Sequence, residues 1–224
     1  MINTINTIIF DLDGTLLNTL TDLTNSLNYA LEQYQLPTYS EDQVRQMVGN
    51  GVTVLMERAI PGGHSFKHFE DCLNTFKEHY EIHKKDATQP FPGILEFLKM
   101  ADASGYQLAV VSNKFDLAVK ELCQDYFSPY IQVAIGESAL AAPKPAPDTV
   151  FRAMEEFHAV PNQCIYVGDS DVDIATAQNA GIPCLSVSWG FRSKEFLTLH
   201  GASMIVDSVE DMRRLFFPDM DKRQ

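Results

Sequence analysis

The sequence predicts an α/β fold in which a parallel sheet is interrupted, after its first strand, by an inserted α-helical domain. Three observations lead to it. The 224 residues are 45% hydrophobic and 21% charged, enough for a large core with an insertion. Residues 94–206 alternate short apolar runs with helical patterns. Residues 20–83, by contrast, show helical spacing only.

The first strand is predicted at 8–10, because an apolar run stops at Asp11 and a turn follows at 13–15. Helices are then expected where apolar side chains recur every three or four residues. Ser40 and Gln43 form a capping-box pattern that starts the second of these helices. The four helical segments are 20–34, a short one from Ser40, 54–59 and 66–83.

The remainder of the chain predicts alternating helices and strands. Its strands are short apolar runs, which indicates a Rossmann-like parallel sheet covered on both faces. Helices are expected at 94–104, 117–123, 148–157 and 174–180, and strands at 108–112, 131–135, 165–167, 184–187 and 204–206. We therefore expect a core formed by residues 1–16 and 87–224 and an inserted domain of residues 17–86, with hinges near Leu16–Thr19 and Lys85–Gln89.

The charge of the chain excludes some partners. Seventeen Lys and Arg against 30 Asp and Glu give a net charge of −13, which repels nucleic acid and anionic membrane surfaces. Neither is expected as a partner. The four cysteines form no C-x-x-C, and no signal peptide or membrane span is recognisable. A cytoplasmic monomer or homodimer is the expectation.

Polar residues cluster where the predicted strands end. In an open parallel sheet ligands bind beyond the carboxyl ends of the strands. Several carboxylates brought together there require a divalent cation, for which Mg²⁺ is the best candidate. A lysine and a hydroxyl in the same place suit a phosphoryl group. The residues concerned are Asp11, Asp13, Ser112, Asn113, Lys114, Lys144, Asp169 and Asp173.

These motifs resemble a known family. D-x-D-G-T at 11–15, Ser112, the K-P at 144–145 and G-D-x-x-x-D at 168–173 are similar to the four motifs of the haloacid dehalogenase superfamily of phosphohydrolases. The helical insertion resembles the small cap of that superfamily. V-G-N-G at 48–51, L-x-x-R-A at 55–59, P-F-P-G at 90–93, V-V-S-N-K at 110–114 and K-P-A-P-D at 144–148 are similar to phosphoglycolate phosphatases.

The resemblance implies a role for each motif residue. Asp11 is implied to be the nucleophile that forms an aspartyl-phosphate, and Asp13 the general acid and base. Mg²⁺ is implied to bind the Asp11 carboxylate, the Asp13 backbone carbonyl and Asp169, with Asp173 holding the metal's waters.

A phosphate-binding set is implied as well. It comprises Ser112, Asn113 and Lys144, joined by Gly14 and Thr15. In the insertion, Arg45, Asn50 and Arg58 are candidates for the rest of a small phosphorylated metabolite, although surface ion pairs account for either arginine equally well.

Other functions stay open. A mutase of the β-phosphoglucomutase type, a pyrophosphatase or a nucleotidase would use the same motifs. A phosphorylated signalling receiver is disfavoured because it needs neither a general acid at Asp13 nor a helical cap, and a dehalogenase because it needs no metal. The pairs His64 with His68 and His79 with His83 have zinc-ligand spacing but lack a third ligand, so surface histidines are favoured. Asp171 is expected to face solvent or cap a helix.

Overall fold

A computed structural model describes residues 4–139 and 141–218. The chain divides into two compact units, one formed by Met1–Leu16 with Pro90–Gln224 and the other by Leu17–Gln89. Within the described residues no helix is long and apolar enough to cross a membrane.

The first unit is built on a parallel sheet, which confirms the predicted α/β class. Among the described residues it has six strands in the spatial order β5-β4-β1-β6-β7-β8. Their bounds are Thr7–Phe10 (β1), Gln107–Phe115 (β4), Val133–Glu137 (β5), Cys164–Gly168 (β6), Cys184–Val187 (β7) and Ile205–Val206 (β8). Two short strands, Leu17–Asn18 (β2) and Gln89–Pro90 (β3), pair with each other.

The register of the central strands places their ends together. Phe10, the last residue of β1, pairs with Val110 of β4 and with Val167 of β6. The next residues along the three strands therefore reach the same edge of the sheet. That edge is the one where the sequence places its carboxylates and Ser112.

Helices pack against this sheet, whose central strands are buried along most of their length. The helices are Ile94–Ala103 (α5), Asp116–Phe127 (α6), Asp148–Glu156 (α7), Asp171–Ala180 (α8), Lys194–Leu199 (α9) and Val209–Phe216 (α10). Phe10 is fully buried and meets Phe97 of α5 edge to face, with ring centroids 6.3 Å apart. Phe97 in turn contacts Phe216 of α10, so an aromatic group joins strand to helices on this side.

The second unit is helical. Its helices are Leu20–Gln33 (α1), Glu41–Met47 (α2), Val52–Ala59 (α3) and Phe69–His83 (α4). α1 and α4 bury the apolar stripes that the sequence predicts, including Leu27, Leu31 and Phe76. The capping box at Ser40 is confirmed, since its hydroxyl accepts from the Gln43 N–H while the Gln43 side chain accepts from the Ser40 N–H.

Several element boundaries were wrong. The strand predicted at 131–135 is Val133–Glu137, and the helix predicted from 174 begins at Asp171. The first turn of α8 was missed because two of its first three residues, Asp171 and Asp173, are acidic and follow the N-cap Ser170. Helices α9 and α10 were not predicted, since six and eight residues give too few turns for a clear periodicity.

Candidate active site

Three carboxylates meet at the carboxyl edge of the sheet. Asp11 follows β1, Asp169 follows β6, and Asp173 lies in the first turn of α8. One oxygen from each lies within 4.8 Å of the others, and all three residues are buried. No other group of three or more His, Cys, Asp or Glu among the described residues could hold a metal ion in this way. The Asp13 carboxylate is outside this group.

A single buried lysine lies between two of these carboxylates. The Nζ of Lys144 is 2.8 Å from Oδ1 of Asp11 and 2.8 Å from Oδ1 of Asp173. Burial alone would lower the pKa of Lys144, but Asp11 and Asp173 outweigh it and raise the pKa. Lys144 therefore stays cationic.

The cluster carries more negative than positive charge. Burial, followed by the charge of Asp173, raises the pKa of Asp11 to about 7, and Lys144 offsets only part of this. Burial and the two neighbouring carboxylates also raise the pKa of Asp169 well above its usual range. Carboxylate oxygens with surplus negative charge are the ligands that a hard divalent cation prefers, so the residues present fit Mg²⁺.

Asp173 is held by four donors. Its Oδ1 accepts from Lys144 and from the Tyr166 hydroxyl at 3.0 Å, and its Oδ2 accepts from the Ser170 hydroxyl at 2.6 Å and the Ser170 N–H at 3.1 Å. Burial and Asp173 raise the pKa of Tyr166, which keeps its hydroxyl a donor. Asp173 is thus held in place by these hydrogen bonds, and its Oδ1 in turn positions the ammonium group of Lys144.

Sequence reasoning missed Tyr166 and Ser170. Ser170 could have been found, because S-x-x-D before a helix is a capping pattern. The N-cap of α8 is Ser170, and Asp171 is the first helical residue. Asp171 is therefore not the cap, one of the two roles expected for it.

Asp169 is oriented by the residues around it. Its Oδ2 accepts from the Phe191 N–H at 2.6 Å, and its Oδ1 accepts from the Thr15 hydroxyl at 3.4 Å. Gly14 has φ +84°, and a Cβ there would collide with Asp169 Oδ2. Gly14 and Thr15, predicted to bind phosphate, both lie against this carboxylate, so they also set its position.

Ser112 and Asn113 follow the apolar part of β4, as the sequence predicts. The Ser112 hydroxyl accepts from the Lys114 N–H at 3.3 Å. The Asn113 carboxamide accepts from the Lys144 N–H at 2.7 Å and donates to the Lys144 carbonyl at 3.0 Å. The side chain of Asn113 therefore fixes the loop that carries Lys144.

Asp13 has a cationic partner for which the family resemblance implies no role. Lys114 places its Nζ 3.0 Å from each carboxylate oxygen of Asp13. The Asp13 charge also contributes to the raised pKa of Asp11, so the two carboxylates are close enough to interact. The pair belongs to the same edge of the sheet.

Two of the three candidate residues of the inserted unit, Asn50 and Arg58, contact each other. Arg58 donates to the Met47 carbonyl at 2.6 Å and to Asn50 Oδ1 at 2.8 Å. Arg45 lies 3.8 Å from Asp42 on the same helix. Arg58 thus stabilises the conformation of the loop at 48–51 through hydrogen bonds to residues on either side of its start.

The histidine pairs do not form a metal site among the described residues, where none of the four belongs to a group of three ligands. His68 contacts Asp71, His79 contacts Ser26, and His83 contacts Asp86. The zinc alternative therefore has no structural support.

Known proteins are similar in sequence to this chain. The family model for haloacid dehalogenase-like hydrolases matches residues 8–187. A phosphoglycolate phosphatase from Caulobacter vibrioides is 34% identical over 210 residues, covering 92% of this chain and 88% of the relative. One from Aquifex aeolicus is 31% identical over 185 residues, covering 82% of this chain and 85% of the relative.

A solved structure is similar as well. A Lactobacillus delbrueckii subsp. bulgaricus protein, provisionally described as a phosphoglycolate phosphatase, has a TM-score of 0.91 to this chain at 36% identity. The match covers 94% of this chain and 98% of the other. The matched family region, 8–187, includes every residue of the site from Asp11 to Asp173.

Proposed function

The chain belongs to the haloacid dehalogenase-like hydrolase family, and we propose that it is a Mg²⁺-dependent phosphomonoesterase that works through an aspartyl-phosphate. The observation that carries this proposal is Lys144, shared at 2.8 Å between Asp11 and Asp173 beside Asp169. A buried carboxylate beside a fixed cation and further oxygen ligands is what phosphoryl transfer requires.

Asp11 is the nucleophile in this proposal. Its carboxylate oxygen forms a bond to phosphorus while the bond from phosphorus to the alcohol oxygen breaks. Asp13 gives its proton to that departing oxygen. In the second step Asp13 takes a proton from water, whose oxygen attacks phosphorus and releases Asp11 and inorganic phosphate.

The remaining residues hold the phosphoryl group. The Ser112 hydroxyl, the Asn113 N–H and the Lys144 ammonium bind its oxygens, with Gly14 and Thr15 beside them. Mg²⁺, held by Asp11, Asp169 and the Asp13 carbonyl, with Asp173 nearby, would neutralise charge on the same oxygens. Because Lys144 is anchored by Asp173 and Asn113, it is in place before the reaction begins.

The substrate proposed is 2-phosphoglycolate. Relatives that are 34% and 31% identical to this chain over the aligned residues carry the name phosphoglycolate phosphatase. A pyrophosphatase and a nucleotidase would use the same carboxylates and lysine and differ from this proposal in substrate. A mutase would use them too, but it would return the phosphoryl group from Asp11 to a sugar rather than to water.

The test is phosphate release from 2-phosphoglycolate and p-nitrophenyl phosphate, with Mg²⁺ and with EDTA. We expect turnover that needs Mg²⁺, a much higher kcat/KM for phosphoglycolate, and loss of activity in Asp11→Asn but not in the control Asp171→Asn. If only p-nitrophenyl phosphate is hydrolysed, the proposal that 2-phosphoglycolate is the substrate fails, while the proposed phosphatase chemistry stands. Substantial activity in Asp11→Asn would overturn the mechanism.

A further inference from the structure

Lys114 is a buried cation for which the proposed chemistry has no use. Its side chain is 6% exposed, and its Nζ lies 3.0 Å from both oxygens of Asp13. Burying an ammonium group costs free energy unless a partner offsets it. The Asp13 side chain is 21% exposed, so this ion pair borders solvent rather than the closed core.

The backbone of Lys114 is fixed in place. Its N–H donates to the Ser112 hydroxyl. Its carbonyl packs so closely on Gly136 of β5 that a Cβ there would lie 2.6 Å from the oxygen. The Gly136 N–H donates to Asp116, which follows on α6. The backbone from which the Lys114 side chain extends is therefore held by neighbouring residues, and the side chain itself is placed by its contact with Asp13.

The location of the ammonium group limits what it can reach. If Asp13 protonates the leaving oxygen, two successive hydrogen-bond lengths place Lys114 Nζ within about 6 Å of that oxygen. A carboxylate carbon two bonds from the ester oxygen falls inside this distance. A neutral alcohol offers the ammonium group nothing comparable at that position.

Charge makes such a contact useful. An alcohol that carries a carboxylate brings another negative charge to a site that already holds Asp11, Asp169 and Asp173, in a chain of net charge −13. Lys144 is committed to Asp11 and Asp173. A second cation beside Asp13 offsets the repulsion at the point where the alcohol departs.

We propose that Lys114 is a specificity-determining residue that binds a carboxylate on the alcohol part of the substrate, next to the scissile phosphate ester. This inference rests on the proposed phosphatase activity and adds the class of ester that is preferred. Selectivity is strong when a site is built to pair with a charged group of the substrate, because an analogue without that group leaves the site's own charge unpaired.

The experiment compares kcat/KM for 2-phosphoglycolate and for ethyl phosphate, which has a methyl group where the former has its carboxylate. Wild type is measured beside Lys114→Met, Lys114→Arg and a control, Lys99→Met, whose side chain is exposed on α5. We expect wild type and Lys99→Met to favour phosphoglycolate by about 10- to 100-fold, the range of a charge-assisted hydrogen bond. Lys114→Met should reduce this ratio to within about 3-fold, and Lys114→Arg should restore part of it.

The ratio of kcat/KM for the two esters distinguishes a lysine that binds the substrate carboxylate from one that only positions Asp13. If Lys114 only positions Asp13, Lys114→Met slows both esters equally, the ratio stays constant, and the inference is overturned while the phosphatase proposal stands. If wild type does not prefer 2-phosphoglycolate over ethyl phosphate, the inference about Lys114 is also overturned and the phosphatase proposal stands. If wild type releases phosphate from neither ester, the proposed function itself fails. Thermal melts of each variant show whether the fold is retained.

Discussion

The ammonium nitrogen of Lys144 lies 2.8 Å from Oδ1 of Asp11 and 2.8 Å from Oδ1 of Asp173, in a site that holds three buried carboxylates. Lys144 favours the ionised form of Asp11 and Arg192 that of Asp169, but burial and the repulsion among the three carboxylates outweigh both cations. The surplus charge raises the pKa of Asp11 and of Asp169. The geometry that suits a metal ion and a phosphoryl group therefore costs stability in the protein without metal.

Asp11→Asn should stabilise the metal-free protein while abolishing turnover. The pKa of Asp11 is raised from 3.8 to about 7, so folding takes up a proton between these pH values. The contribution of Asp11 to stability therefore falls as the pH rises from about 4 towards 7. Asparagine removes this penalty, so the Tm in EDTA at pH 8 should rise by at least about 3 °C.

The rise in Tm of Asp11→Asn over wild type should be smaller at pH 5, where wild-type Asp11 is protonated in the folded protein. Calorimetry in EDTA at both pH values measures it, with Asp171→Asn as the control that leaves the cluster intact. An Asp11→Asn variant that melts at or below the wild-type temperature at pH 8 would show that the Lys144 ion pair outweighs the burial of Asp11.

Mg²⁺ should stabilise the protein more at pH 8 than at pH 6. Carboxylates bind a metal in their ionised form, so protons compete with Mg²⁺ wherever the pKa is raised, as it is at Asp11 and Asp169. At a Mg²⁺ concentration 100 times its Kd the stabilisation amounts to about 2.7 kcal/mol, which a thermal melt detects.

Two neighbouring aspartates provide a matched comparison for this effect. Asp169→Asn should lose the Mg²⁺-dependent rise in Tm, because it removes one of the three clustered carboxylates. Asp171 lies outside the cluster, so Asp171→Asn should keep the Mg²⁺-dependent rise in Tm. An equal effect of Mg²⁺ at pH 6 and pH 8, or an unchanged rise in Asp169→Asn, would contradict a metal site at these residues.

The parts of the site that could be predicted are those fixed by strand ends. Asp11, Ser112 and Asp169 follow apolar runs, and parallel strands bring such residues to one edge without further information. Tyr166 could not be recognised, because a tyrosine inside the buried run of β6 has the pattern of a core residue. The pairing of Lys114 with Asp13 joins residues 101 positions apart, and no local pattern encodes it.

The expected hinge at Lys85–Gln89 is constrained in the second unit by Asp22. This residue is 1% exposed in the first turn of α1. Its carboxylate accepts from the Ala87 N–H at 2.9 Å, the Thr88 N–H at 2.9 Å and the Thr88 hydroxyl at 2.8 Å. Residues 87 and 88 are thereby tied to α1, a link that periodicity cannot show because Asp22 has the pattern of an ordinary acidic residue near a helix start.

Asp22→Ala should therefore release this segment. The substitution removes the acceptor of the buried Thr88 N–H and hydroxyl and of the Ala87 N–H, at an expected cost of about 2–4 kcal/mol in the free energy of unfolding. Glu78→Ala, at an exposed position of α4, should change it by less than about 0.5 kcal/mol. Urea unfolding gives both values, and hydrogen exchange at the amides of Ala87 and Thr88 locates the effect, since these two should lose protection before the rest of the unit. If the Ala87 and Thr88 amides of Asp22→Ala stay protected from hydrogen exchange, contacts other than those with Asp22 hold this segment in place.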